Sequence, residues 1–214
     1  MLNKTDDPDA LVTVQIHELE GHTETVEFCK FDASGKFCVT AGMNNHLRVW
    51  DVAQGFTLKQ TVEEIPVEDM LFVEWHPTAP VLMTGGKDYM IWVVNAVKGK
   101  IMQQFMGHEG DVVGAQFTKE DGGKQIVSVS TDKTVKLWNP VQGTCIQTIR
   151  NGDGKIPYHT DEIQCFDLHP TRPLILTGDC TGGVYGAHYG TGEVVGRVGS
   201  HKDSVESVVI NQEL

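Results

Sequence analysis

Four residues in the second half of the sequence could do chemistry together. His108, Ser128 and Asp132 supply a base, a hydroxyl and an orienting carboxylate, the residue types of a hydrolytic triad. Trp138 adds an indole N–H six residues beyond the aspartate. Two chemistries fit this set. In one, Ser128 attacks an acyl group with His108 as its base. In the other, all four are buried and satisfy one another: the aspartate, in a tight turn, accepts from the histidine, the histidine meets the hydroxyl, and the hydroxyl meets the indole. Leaving any of them buried and unpaired would cost about 1–3 kcal/mol, so each needs its neighbours.

Recurrence separates the two readings. His22, Thr40, Asn44 and Trp50 repeat the set almost completely. A second unit has Pro66, Thr84, Asp88 and Val94 at the same offsets, and a fourth has His159, Thr177, Thr181 and Ala187. The hydroxyls at Thr40, Thr84, Ser128 and Thr177 are 44, 44 and 49 residues apart, with the extra length in the turn-rich Asn151-Gly-Asp-Gly-Lys. A structural chain repeats with its scaffold, whereas a catalytic triad has no reason to. The tetrads His108–Ser128–Asp132–Trp138 and His22–Thr40–Asn44–Trp50 are therefore read as structural. An unrecognised hydrolase stays as a remote alternative, one that needs an activity lost in Ser128→Ala while the fold survives.

No other arrangement points to catalysis, a metal or a cofactor. Among the nine histidines, His22, His108, His159 and His201 hold the repeat position, and His76 and His169 precede prolines in turns. His17, His46 and His188 have no second ligand at metal spacing. Gly182-Gly-Val-Tyr-Gly186 resembles a dinucleotide loop only superficially, because no helix opens after it, and tight-turn glycines explain it better. The five cysteines, Cys29, Cys38, Cys145, Cys165 and Cys180, include no C-x-x-C pair. Four sit in apolar runs, so buried, reduced thiols of a cytoplasmic protein are expected.

The elements that must position the tetrads are short. Runs of four to seven β-prone residues, such as Phe37-Cys-Val-Thr, Val81-Leu-Met-Thr and Leu174-Ile-Leu-Thr, alternate with Gly and Pro turn signals, and no segment sustains a 3.6-residue apolar period. The reading is all-β. A repeat of about 40–45 residues points to a β-propeller, in which four strands make one blade. Trp75-His-Pro-Thr-Ala-Pro-Val-Leu-Met-Thr-Gly is also echoed by Leu168-His-Pro-Thr-Arg-Pro-Leu-Ile-Leu-Thr-Gly.

At these residues the chain resembles the WD40 family, most closely in Gly107-His108, Ser128 and Asp132-Lys-Thr-Val-Lys-Leu-Trp138. Within it, Val73-Glu-Trp-His-Pro-Thr-Ala-Pro-Val-Leu and Thr191-Gly-Glu-Val-Val-Gly resemble the branch of the angio-associated migratory cell protein and its fungal ribosome-assembly relatives. The family's strand order (a, b, c, then outer strand d) gives an expected map: outer strand d at 10–19, blades at 20–62, 63–106, 107–150 and 151–199, and the start of a fifth at 200–214. The branch implies a seven- or eight-bladed ring. The chain is thus expected to be a partial propeller, with further units beyond Leu214 and open flanks prone to self-association.

The 17 Lys and Arg against 29 Asp and Glu give a formal charge of −12. That balance argues against nucleic acid and anionic membranes as direct partners. No run is long and apolar enough to span a bilayer, and no secretory signal opens the sequence. A cytoplasmic location with access to the nucleus is expected. The d–a connections of all blades should share one rim, and each carries carboxylates: Glu24; Glu63, Glu64, Glu68 and Asp69; Glu109 and Asp111; Asp161 and Glu162; and Asp203. Turn chemistry and solubility account for part of this. The functional reading is an acidic surface that captures a Lys/Arg-rich protein by electrostatic steering. The resemblance implies the same, because the fungal relatives chaperone a basic large-subunit ribosomal protein. The animal branch implies a signalling and cell-migration adaptor instead.

Overall fold

The computed structural model describes residues 18–63 and 65–211. These form sixteen strands in four antiparallel four-stranded sheets, each a meander in chain order. The first sheet is β1 (Val26–Phe31), β2 (Phe37–Gly42), β3 (Leu47–Asp51) and β4 (Thr57–Val62). The second is β5 (Met70–Trp75), β6 (Val81–Gly86), β7 (Ile91–Asn95) and β8 (Lys100–Phe105), and the third is β9 (Val112–Phe117), β10 (Ile126–Ser130), β11 (Val135–Asn139) and β12 (Thr144–Ile149). The fourth is β13 (Ile163–Leu168), β14 (Leu174–Asp179), β15 (Gly183–His188) and β16 (Glu193–Ser200). Most of the strand expected at 10–19, and its pairing, lies outside the described residues.

Side-chain alternation sends one face of each sheet to each neighbour. Leu82 and Val94 join Val39, Leu47 and Val49 between the first two sheets. Met83, Ile91 and Val93 meet Ala115, Phe117, Ile126 and Trp138 between the second and third. Val127, Val129 and Val135 meet Leu168 and Ile175 between the third and fourth. The second strand of each sheet is therefore apolar on both faces, as in the fully buried Phe37-Cys-Val-Thr-Ala-Gly. Outer strands such as Lys100-Ile-Met-Gln-Gln-Phe are mostly exposed. The main contacts between sheets run through the inner strands, β1 to β5, β5 to β9 and β9 to β13. The sheets converge inward and splay outward as blades do.

Neighbouring blades are also pinned by polar groups. Asn45 donates to the Val67 carbonyl (3.1 Å) and accepts from the Met70 N–H (3.0 Å). Trp75 Nε1 donates to the Lys30 carbonyl (3.0 Å). Lys119 pairs with Asp167 (3.3 Å), and Lys30 with Glu74. The expected fifth unit differs from a plain strand: residues 204–210 run along the fourth blade without a β-ladder of their own. Val205 is buried there, its N–H on the Asp179 carbonyl (3.1 Å), and the Ile210 N–H reaches Asp167 Oδ2 (2.9 Å).

The cysteines depart from expectation. Cys38 is buried, but Cys29 and Cys145 are exposed, and Cys165 and Cys180 are half-buried. Cys29 lies on β1, whose side chains are largely exposed. An apolar run in sequence does not reveal which of its side chains the fold leaves exposed.

Candidate functional site

In the third blade His108 Nε2 and Ser128 Oγ are 2.7 Å apart, His108 Nδ1 and Asp132 Oδ2 are 2.7 Å apart, and Trp138 Nε1 donates to Ser128 Oγ at 2.8 Å. Proton placement follows from the donors available. The indole donates to the hydroxyl, the hydroxyl to a neutral imidazole, and the imidazole Nδ1–H to an ionised carboxylate. Burial lowers the His108 pKa and outweighs the attraction of Asp132. Burial works to raise the Asp132 carboxyl, but the bonds from His108, Thr134 and the Glu109 N–H outweigh it and hold the group well below the ordinary carboxylate range. Ser128 is completely buried and its oxygen is already shared by two partners, so no substrate carbonyl can approach it.

The first blade holds the same core, with His22 to Thr40 at 2.7 Å and Trp50 to Thr40 at 2.9 Å. Asn44 does not join it. Its amide lies near Thr23 (3.4 Å) and His46 (3.2 Å), while His22 Nδ1 has no partner among the described residues. In the second blade Thr84 bonds the Phe72 carbonyl (2.7 Å), and Asp88 receives the indole N–H of Trp92 (2.6 Å).

The fourth blade contains a chain that the repeat offsets hid. His159 meets Thr177 at 2.7 Å and Asp179, not Thr181, at 2.7 Å. Tyr158 contributes its hydroxyl to Thr177 at 3.0 Å, where the third blade uses an indole. Asp179 also accepts the N–H groups of Thr181 (3.0 Å) and Gly183 (2.7 Å), so it shapes the b–c turn as well.

The chains of the third and fourth blades tie the d–a loop to the b–c turn of the blade. Backbone bonds make the same tie in all four blades: Met43 N–H to Thr25 O (2.9 Å), Lys87 to Glu68 (2.7 Å), Thr131 to Asp111 (3.0 Å) and Cys180 to Glu162 (3.0 Å). A register shift opens the inner strand of every blade just below this point, a placement typical of bulges that re-aim side chains at a rim. The b–c turns share one left-handed position, occupied by Asn45, Tyr89, Lys133 and Gly182 with φ of 61°, 65°, 69° and 92°. Lys133 uses it to reach the Thr160 carbonyl of the next blade (2.7 Å).

On this rim Glu24, Glu63, Glu68, Asp69, Glu109, Glu162 and Asp203 are exposed, and Asp111 and Asp161 are half-buried. Glu64 lies outside the described residues. Asp69 pairs with Lys87 (2.9 Å), and Glu63 stands 4.0 Å from His46. No other of these carboxylates has a cation within ion-pair distance among the described residues. The rim also carries large apolar side chains absent from the sequence reading, with Met43 59%, Tyr89 45% and Met106 61% exposed. Their signal was position: each lies in a b–c turn or d–a loop. No group of three His, Cys, Asp or Glu among the described residues could hold a metal ion.

Comparison with known proteins agrees with this architecture. The family model described as "WD domain, G-beta repeat" matches residues 13–51 and 99–139. The human angio-associated migratory cell protein is 29% identical over 183 residues, 85% of this chain and 39% of that protein. Pre-mRNA-splicing factor cwf17 of Schizosaccharomyces pombe is 29% identical over 132 residues, 62% of this chain and 38% of that protein. Pre-mRNA-processing factor 19 of Oryza sativa is 28% identical over 146 residues, 68% of this chain and 26% of that protein. The chain therefore spans less than half the length of each of these relatives.

Proposed function

For a chain built of WD40 repeats, we propose a non-enzymatic protein-interaction scaffold whose acidic rim holds a Lys/Arg-rich segment of a partner protein. One observation carries the reading: carboxylates of successive blades stand on a hydrogen-bonded rim, and most of them lack a cation among the described residues. Like charges fixed to a rigid rim repel one another, and a flexible basic segment can pair with several of them at once. Exposed Met43, Tyr89 and Met106 give such a segment apolar contacts within the charged field, as interface cores do. Long-range attraction acts mainly on the rate of encounter.

The resemblance suggests a basic ribosomal protein held before assembly, met in a cytoplasm with access to the nucleus. A second reading, an adaptor in cell migration, rests on the name of the human relative. The relatives' names range from cell migration to pre-mRNA splicing, which suits a shared scaffold with exchangeable partners. Fluorescence anisotropy of a labelled Lys/Arg-rich peptide with interspersed apolar residues tests the proposal, alongside its Glu-substituted counterpart. Saturable binding of the basic peptide alone supports it. Equal binding of both peptides, or of neither, overturns it.

A further inference from the structure

Cys29 and Cys38 belong to neither the tetrads nor the rim, yet the fold brings their sulfurs together. Phe31 is the register partner of Cys38, and Cys29 lies two residues before it on the same face of the first blade. The two Sγ atoms are 3.6 Å apart and both thiols are free. Cys29 is exposed on β1, which is an edge strand of its sheet, while Cys38 is buried on β2 beside it. A disulfide has its sulfurs about 2.05 Å apart, so closing the bond needs about 1.5 Å of approach. The two residues are diagonal rather than directly opposed, so the edge strand β1 must shift toward β2 as the side chains rotate.

We propose that Cys29 and Cys38 form a redox-responsive pair that closes into a disulfide between β1 and β2 on exposure to a small disulfide such as oxidised glutathione. Access sets the order of events. The Cys29 thiolate attacks one sulfur of glutathione disulfide, forming a mixed disulfide and releasing one glutathione thiolate. The Cys38 sulfur then attacks Cys29 Sγ, its proton passes to the departing sulfur, and the second glutathione leaves. In total two protein thiols are oxidised, one S–S bond of glutathione is reduced, and two glutathione thiols are released. Burial, with the neighbouring Cys29 thiol, pushes the Cys38 pKa up to about 12. Cys38 is thus a poor first attacker and is suited to resolve a mixed disulfide already held against it.

The test is a time course of the whole chain with oxidised glutathione, quenched in acid, alkylated in denaturant and read by peptide-resolved mass spectrometry. Wild type should pass through a transient Cys29–glutathione adduct to a linked Cys29–Cys38 peptide pair. Cys38→Ser, with Cys38→Ala as the alternative should serine disturb the buried site, should keep the Cys29 adduct at least about tenfold longer. In Cys29→Ser, Cys38 should stay reduced at glutathione concentrations that oxidise wild type. A Cys29 adduct as persistent in wild type as in Cys38→Ser would overturn the proposal, and so would a pair that stays reduced while exposed Cys145 reacts.

Discussion

Ser128→Ala probes the buried chain at its hub. Ser128 is completely buried, and its oxygen lies 2.7 Å from His108 Nε2 and 2.8 Å from Trp138 Nε1. Removing it orphans a buried indole N–H and a buried imidazole nitrogen at once. At about 1–3 kcal/mol for each stranded group, less some relaxation, the expected loss is about 2–4 kcal/mol. Trp138→Phe strands no donor, because Ser128 still donates to His108. It should lose about 1 kcal/mol for the bond and a similar amount for the missing ring volume. Once Trp138 is Phe, Ser128→Ala strands only the imidazole, so the double variant should be more stable than additivity predicts, by about 1 kcal/mol. Urea melts followed by far-UV circular dichroism avoid altering the fluorescent probe. A Ser128→Ala loss below about 0.5 kcal/mol with an unchanged urea slope, or single effects that simply add, would refute the shared-hub account.

Other outcomes follow from the same geometry. Tyr158→Phe should cost about 1 kcal/mol in urea melts through its lost bond to Thr177, and no change would remove Tyr158 from the chain. Burial holds His108 and His159 below the ordinary 6.5, so as pH falls through 6.5 the unfolded chain binds protons that the folded chain refuses. Asp132 and Asp179, whose accepted bonds outweigh burial, add a second loss as pH falls below the ordinary carboxylate value of 3.8. The urea midpoint should therefore be lower at pH 5 than at pH 7, and a flat profile would contradict neutral buried imidazoles. A Cβ at Gly86 would stand 2.2 Å from the Asp69 carbonyl oxygen and 2.5 Å from that of Glu68. Gly86→Ala should displace this part of the rim, visible as faster amide exchange at Lys87, and unchanged exchange would show that the loop absorbs the methyl freely.

How much the sequence revealed depended on whether a residue kept its repeat offset. His108, Ser128, Asp132 and Trp138 did, and the structure bonds them as the chain Asp132–His108–Ser128–Trp138. The fourth blade reaches the same chemistry from elsewhere: its carboxylate stands two residues earlier, at Asp179, and its ring comes from Tyr158 in the d–a loop. Only the folded loop brings these groups to Thr177, so spacing could not find them. Asn44 sat at the right offset, but an amide can turn either way, and it faces Thr23 and His46. The all-β class was legible because turn signals delimit each short apolar run. The exposure of Met43, Tyr89, Met106 and Cys29 was not, because it depends on which blade faces and turns remain uncovered.

The acidic rim is tested most directly by the association rate of a Lys/Arg-rich peptide, measured by stopped-flow fluorescence across a salt series. The series should compare wild type with the combined Glu63→Gln, Glu68→Gln, Asp69→Asn variant, in which asparagine suits the positive φ of 42° at position 69. Exposed charges are screened beyond about 10 Å at 0.1 M salt. The wild-type rate should therefore fall steeply with ionic strength, while the variant starts several-fold slower at low salt and converges on wild type at high salt. Rates that are the same for both proteins and indifferent to salt would contradict the acidic-rim account.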